Sequence, residues 1–463
     1  MTPLIKKQDL DRVFKNYRPV SNLSFVSKVV ESAAISQYRD HLEMNNQMPT
    51  RNAAYTKFHS TETILARIQS DILLNMDQQR ISLLVLLDLS AAFDTIDYTI
   101  LSKIFQHKFK ITGTVANWFA SYLTNRQQRI MIDNVLSSPM DLKFGVPQGS
   151  CAGPVIFLSY LSSLYDTINN FDINVGGFAD DNQLYLSFKP TSDGIAETEA
   201  VNVLIQCVSA VRSWMLQHKL KINDDKTEFL IIGGRQQLCK VKNSNIIVGN
   251  SSISSTSSAR NLGVIFDENM SMKNHISSVC KKGFYQLYRL KQIRNYFDKG
   301  AIERLVHSFI TSHIDYGNSL LFGLPNSSIL KLQRLQNAAA RLILRRNSYA
   351  SVTDMFKELH WLPVNFRIKF KVALLVFKCV NDVGPSYLSD ILVKKPLTRT
   401  LRSSADGLLL LVPRVKTESF GKRSFQYAAP SVWNSLPLSV RNSQSIDIFK
   451  KTLKTHFYGL AFM

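Results

Sequence analysis

The stretch GGFADDNQLYLSF, Gly176 to Phe188, sets two adjacent carboxylates, Asp180 and Asp181, between β-prone apolar runs. Neighbouring like charges repel and are costly to desolvate, so burying them together calls for a cation or a charged ligand between them. Gly-Gly and Asp-Asp-Asn are equally the chemistry of a turn, and a solvated hairpin tip reads the same way. In both readings the stretch is a strand, an Asp-Asp turn and a strand.

The elements around it decide what else reaches that turn. In ISLLVLLDLSAAFDTID, the run Ile81 to Leu87 is apolar except for Ser82 and ends at Asp88. A continuous apolar run of that length is the mark of a strand buried on both faces, which puts the Asp88 carboxylate at the strand's mouth. The helical pattern ILSKIFQHKFKITGTVANWFASY, Ile100 to Tyr122, is expected to break near Gly113. QQRIMIDNVLSSPMDLKFGVPQGS then reads as a hairpin leading to a turn at Pro147 to Gly149, with a helix expected from Val155.

Asp88 and the Asp180/Asp181 pair thus enter one argument. A two-metal phosphoryl-transfer site needs a few carboxylates on adjacent strands, holding ions ~4 Å apart that serve the attacking and leaving oxygens. Mg²⁺ prefers oxygen ligands and keeps waters and substrate phosphates, so few protein ligands suffice. The sequence offers no competing His or Cys cluster.

Composition bounds the class. With 463 residues, 45% hydrophobic and 10% aromatic, the chain can bury large cores in two or more domains. Its longest apolar runs are too short to span a bilayer, and MTPLIKKQDLDR at the N-terminus lacks the apolar core of a secretory signal. Five scattered cysteines, at 151, 207, 239, 280 and 379, show no CxxC spacing, which argues against a disulfide framework or zinc site and fits a reducing, intracellular setting. Residues 1–235 carry 23 Lys and Arg against 23 Asp and Glu, so the remaining 33 basic and 12 acidic residues hold the whole net charge of +21. Such asymmetry points to one part that uses carboxylates for chemistry and another that faces a polyanion, with nucleic acid favoured over a membrane surface.

These residues carry a resemblance. FADD with Asp88, GVPQGS between them, NYRPVSNLSFVSKVVE upstream and LKINDDKTEFLIIGG downstream resemble the reverse transcriptase of non-LTR, LINE-type retrotransposons. NLGVIFDENMSMKNHI, LQRLQNAAARLIL, LHWLPVNFRIKFKVALLVFKCV and AAPSVWNSLPLSV are similar to the C-terminal region of jockey-like and chicken-repeat-like lineages. The resemblance implies an α+β right-hand polymerase, with fingers and palm over 1–235 and a mainly helical thumb and basic nucleic-acid-binding region over 236–463. It implies RNA-directed DNA synthesis with two Mg²⁺ ions, or Mn²⁺, using an RNA template, a DNA primer or target and deoxynucleoside triphosphates. A nuclear or cytoplasmic ribonucleoprotein setting and no membrane go with it.

Roles follow motif by motif. Asp88 and Asp180 match the metal-bridging aspartates and Asp181 the third carboxylate. Phe93 stands at the aromatic gate that disfavours a 2′-hydroxyl, with core packing as the alternative. Gln148 and Gly149 match the nucleotide contact, and Lys226 the lysine near the triphosphate, with a solvated surface lysine as the alternative. In the fingers, NAAYTKFHSTE departs from the family's pattern: Asn52 and Thr56 replace the usual Gln and basic residue, leaving Lys57 as the candidate phosphate contact. Phe178 replaces the commoner Tyr, and Cys151-Ala152 a bulkier pair. The chain opens almost on the first polymerase block, so it is expected to be a fragment of a longer reading frame or a degenerate genomic copy, with the endonuclease of such elements elsewhere; the alternative function is a non-catalytic RNA-binding relic. In KLQRLQNAAARLILRR, Arg334, Arg341 and Arg345 form a stripe beside Leu332, Leu335, Ala339 and Leu342, and are expected to meet phosphates, with a solvated basic face that has no partner as the alternative.

Overall fold

The computed structural model describes all residues except 6–10, 14–15, 48–50, 91, 243–244, 250, 396–408 and 463. Its centre is an antiparallel sheet of four strands: β1 (Ile81–Leu87), β2 (Asn174–Phe178), β3 (Asp181–Phe188) and β4 (Glu228–Ile232), in the order β4-β1-β3-β2. Asn182 pairs with Leu87 and Phe188 with Ile81, while Asp181 pairs with Phe178 across the turn. β1 lies inside the sheet and both its faces are covered, which explains a strand without polar alternation. Period-two geometry sends Leu84, Tyr185 and Leu230 to one face and Leu83, Val85, Leu184 and Leu186 to the other, each into its own apolar core.

The main helices are α1 (Phe25–Met44), α2 (Thr61–Asp77), α3 (Tyr98–His107), α4 (Gly113–Leu123), α5 (Gly153–Ile168), α6 (Ile195–Gln217), α7 (Lys273–Ile293), α8 (Asn326–Leu344), α9 (Val364–Val380), α10 (Phe425–Asn434) and α11 (Ile446–Phe462). The expected break between α3 and α4 falls at Gly113, whose φ of +59° suits a residue without a side chain. α5 starts two residues ahead of the Val155 read from sequence, because Pro154 sits well in a helix's first turn. Ser60 opens α2: its hydroxyl accepts from Thr63 N–H while its own N–H donates to the Thr63 hydroxyl, a reciprocal cap. α5 and α6 cover one face of the sheet, with Phe157, Tyr160 and Val208 in the core they share with it.

The other face rests on α2, which also touches α10 and the short turns after Gly317 and Phe420. Asp77, at the end of α2, accepts from the backbone N–H groups of Lys416 and Thr417. The division near residue 235 is therefore one of charge and sequence, and packing runs across it. The basic part is helical as expected, apart from two hairpins that the sequence did not announce. These are β5 (Asn245–Val248) with β6 (Ser251–Ser254), and β7 (Ser258–Asn261) with β8 (Val264–Asp267). No helix among the described residues is long and apolar enough to cross a membrane, and all five cysteines are free thiols.

Candidate active site

The ladder that pairs Asn182 with Leu87 sets Asp181, one residue before, across from Asp88, one residue after. Asp180 occupies the turn between β2 and β3. Asp181 senses the other two carboxylates. Asp181 has its pKa pushed up to about 6, first by burial and then by repulsion from Asp180 and Asp88, with Lys226 pulling partly the other way. Lys226 Nζ donates to Asp88 Oδ2 at 2.9 Å, and Asn223 N–H donates to the Asp88 carbonyl at 2.9 Å. The lysine expected near a triphosphate thus stands on the carboxylate group itself.

That group borders an open cleft of about 410 Å³ lined by Asp88, Asp181, Asp225, Lys226, Glu228 and the β7–β8 hairpin. The hairpin's share, Arg260, Asn261 and Leu262, was missed in the sequence, because it depends on a turn at Leu262-Gly263 that brings distant residues to the strand mouth. Asn261 is 2% exposed, and neither its amide nitrogen nor its oxygen has a hydrogen-bond partner among the described residues. Its buried, unspent polar pair sits in the wall of the acidic cleft.

The donor set fits a hard divalent cation. It consists of carboxylate oxygens whose mutual repulsion a cation relieves, and the Lys226 ammonium pairs with one of them. Among the described residues no three His, Cys, Asp or Glu side chains form a preassembled metal cage. A metal that draws part of its shell from water and substrate phosphates does not require one.

Asn52, a departure from the family's pattern, proves to be a keystone of the turn. It is fully buried. Its Oδ1 accepts from Ala179 N–H at 3.1 Å and from Ala54 N–H at 2.9 Å, and its Nδ2 donates to the Ala179 carbonyl at 3.1 Å and the Tyr165 hydroxyl at 2.8 Å. Ala179 has a φ of +58°, a left-handed conformation that an alanine adopts only when its surroundings impose it. The Tyr165 hydroxyl donates to Asn182 Oδ1, and Asn182 Nδ2 donates to the Asp180 carbonyl. A Cβ at Gly177 would collide with the Tyr165 hydroxyl, so the glycine pair of the motif makes room for this network. Nearby, burial raises the pKa of Tyr55, and the charge of Asp180 adds to the rise.

Phe93 and Gln148 lie in neighbouring turns. Val146 N–H donates to the Phe93 carbonyl at 2.9 Å, and a Cβ on Gly145 would come within 2.7 Å of the Asp94 backbone oxygen. Gln148 Nε2 donates to both carboxylate oxygens of Asp94, at 3.1 and 3.0 Å. Gly149 has a φ of +101°, a conformation that requires glycine. Phe93 is half-buried and stacks on Phe157, their ring centroids 4.4 Å apart. Lys57 is exposed, with its ammonium 5.1 Å from the ring of Phe58.

Of the C-terminal arginines, Arg334 is exposed and Arg341 half-buried along α8. Arg345 departs from the helical stripe: α8 ends at Leu344, and Arg345 is the left-handed residue, φ +52°, that closes it. Leu332, Leu335 and Ala339 are buried as their spacing implies, whereas Leu342 is only partly covered.

A family model described as reverse transcriptase (RNA-dependent DNA polymerase) matches residues 5–266. The chain is 23% identical over 366 residues to a probable RNA-directed DNA polymerase from transposon BS of Drosophila melanogaster, covering 76% of this chain and 39% of that protein. It is 20% identical over 352 residues to the RNA-directed DNA polymerase from mobile element jockey of the same organism, covering 74% and 37%. The chain thus spans well under half the length of these relatives. Among solved structures, apo telomerase from Candida Tropicalis overlaps with a TM-score of 0.37 at 10% identity, over 78% of this chain and 57% of that one.

Proposed function

Because the chain belongs to the reverse transcriptase (RNA-dependent DNA polymerase) family, we propose that it adds deoxynucleotides to a DNA 3′-hydroxyl along an RNA template. The observation that carries this reading is the register that faces Asp181 toward Asp88 with Asp180 in the adjoining turn. Asp88, Asp180 and Asp181 would hold divalent metal, two Mg²⁺ ions or Mn²⁺, which when bound supplies charge neutralisation and polarises phosphate oxygens.

The protein's own part is positioning. Asn52 at Ala179 and Asn182 at the Asp180 carbonyl fix the backbone around Asp180, with the Tyr165 hydroxyl joining the two carboxamides, so the carboxylates are held before substrate arrives. Lys226 exchanges its hold on Asp88 for the triphosphate as the nucleotide enters. Gln148 and Gly149 border the nucleotide, Lys57 meets its phosphates from the fingers, and Phe93 lies under the sugar. Arg334, Arg341 and Arg345 hold the nucleic acid backbone at a distance from the chemistry. Residues 1–235 act as fingers and palm and 236–463 as thumb and nucleic-acid-binding region. The setting we propose is intracellular, nuclear or cytoplasmic, in a ribonucleoprotein with the template RNA.

Primer extension on an RNA template with purified protein, deoxynucleotides and Mg²⁺ tests the reading. Extension by the wild type, abolished by Asp180→Asn while RNA binding persists, is the expected result. RNA binding without extension by the wild type would instead mark a non-catalytic relic.

A further inference from the structure

Along α7, Phe284, Tyr288 and Lys291 follow one another on one face, and along α8 Ala338 and Arg341 do the same, continued by Arg345. The two helices approach closely because Gly283 has no side chain: a Cβ there would collide with Leu335. Beside this contact opens a groove of about 640 Å³. Leu287, Ala338 and Leu342 form its less exposed part, while Phe284 and Tyr288 present rings that are 45% and 63% exposed. Arg341, Arg345 and Arg346 bring positive charge to the same opening.

The charge is not spent internally. Among the described residues no carboxylate lines the groove or pairs with Arg341 or Arg345, and Arg346 reaches only Glu358, at 3.9 Å. Arg294 serves the wall: its guanidinium donates to the carbonyls of Leu342 and Ile343 at the end of α8, at 3.0 and 2.9 Å. Clustered arginines repel one another unless an anion joins them, and exposed aromatic rings beside them offer flat faces on which a base can stack. One ligand class has both phosphates and flat faces. In a duplex those faces are stacked on each other and closed to side chains, so the rings add affinity only for unpaired bases.

We infer that the groove between α7 and α8 binds a single-stranded stretch of nucleic acid, a base stacking on Tyr288 or Phe284 while its phosphates meet Arg341 and Arg345. The inference rests on the polymerase reading and extends it to the unpaired part of the template.

Fluorescence anisotropy with a short single-stranded RNA, and with the same sequence as a blunt duplex, tests it on the full chain. The double variant Phe284→Ala/Tyr288→Ala is expected to weaken single-strand binding about ten-fold or more, the effect of removing one stacked base, with duplex binding nearly unchanged. Tyr288→Phe keeps the ring and is expected to keep the affinity. Both side chains are exposed, so the variants should retain the wild-type circular dichroism spectrum. Equal weakening on single strand and duplex, damage by Tyr288→Phe as large as by Tyr288→Ala, or displacement of the RNA by polyglutamate at matched charge would each overturn the inference. If the wild type fails to extend a primer yet shows this single-strand pattern, the polymerase reading falls alone. If it extends and the ring variants bind single strands normally, the groove falls alone.

Discussion

The carboxamide of Asn52 grips Ala179 at both its N–H and its carbonyl, and Ala179 is the residue before Asp180. A side chain 127 residues away in sequence thereby sets the backbone that presents the Asp180 carboxylate. Asn52→Ala strands the buried Ala54 and Ala179 amides, each a cost of about 1–3 kcal/mol where no water replaces the partner, while the Tyr165 hydroxyl keeps its bond to Asn182. Urea unfolding should show a destabilisation in that range, with extension falling further than the smaller folded fraction explains. Unchanged catalysis by the folded variant would mean that the turn keeps its left-handed residue unaided.

Asp181 gives a pH signature. Its folded pKa, about 6, lies above the 3.8 of a free aspartate, so the folded state binds the extra proton between those values and this group's contribution to stability falls as pH rises through the window. Asp181→Asn mimics the protonated form. Without metal, the melting temperatures of the two proteins should nearly coincide below pH 4, and the variant should become the more stable as pH passes 6. Added MgCl₂ at neutral pH should raise the wild type, and the variant, which keeps Asp88 and Asp180, by less; EDTA should reverse the rise. A wild type that melts identically with and without Mg²⁺ at neutral pH would remove the carboxylates as a metal site.

Phe93 stacks on Phe157 at the edge of the core, so truncation acts on packing as well as on substrate choice. Phe93→Ala should lower stability by less than the ~3–5 kcal/mol of a fully buried phenylalanine, since its ring is only half-buried. As a gate, it should admit ribonucleotides far better once truncated, while deoxynucleotide use falls modestly. A parallel decline in both substrates would assign Phe93 to packing alone.

The arginines have a thermodynamic fingerprint. If Arg341 and Arg345 neutralise phosphates, the double substitution to Ala should flatten the slope of log affinity against log salt by about 0.7–0.9 for each phosphate left without its arginine, alike for all RNA sequences. An unchanged slope would place the phosphate contacts elsewhere among the basic residues of 236–463.

The sheet was legible because its signals are local. The run from Ile81 to Leu87, apolar but for Ser82, reads as a strand covered on both faces, and the acidic pair between β-prone segments marks a turn, which the structure places at Ala179-Asp180 with Asp181 opening β3. The break at Gly113 likewise follows from one residue's conformational freedom. Asn52 was legible only as an oddity, since its partner Ala179 lies 127 residues away and no periodicity encodes such a contact. The β7–β8 hairpin and its orphaned Asn261 escaped for the same reason: four-residue strands carry little pattern, and their meaning comes from the cleft they border. Arg345 was read as one more helical residue because a left-handed helix end at an arginine has no signature of its own.

α2 belongs to both halves of the charge map: its apolar side chains share a core with Leu84 and Leu230 of the sheet and with Val432 and Trp433 of α10. A scanning calorimeter should therefore record one endotherm, not two. Severing the chain near residue 235 would leave the N-terminal piece with a stripped apolar surface prone to aggregate, so protease nicking there should inactivate the protein unless the two pieces stay clasped through that helix.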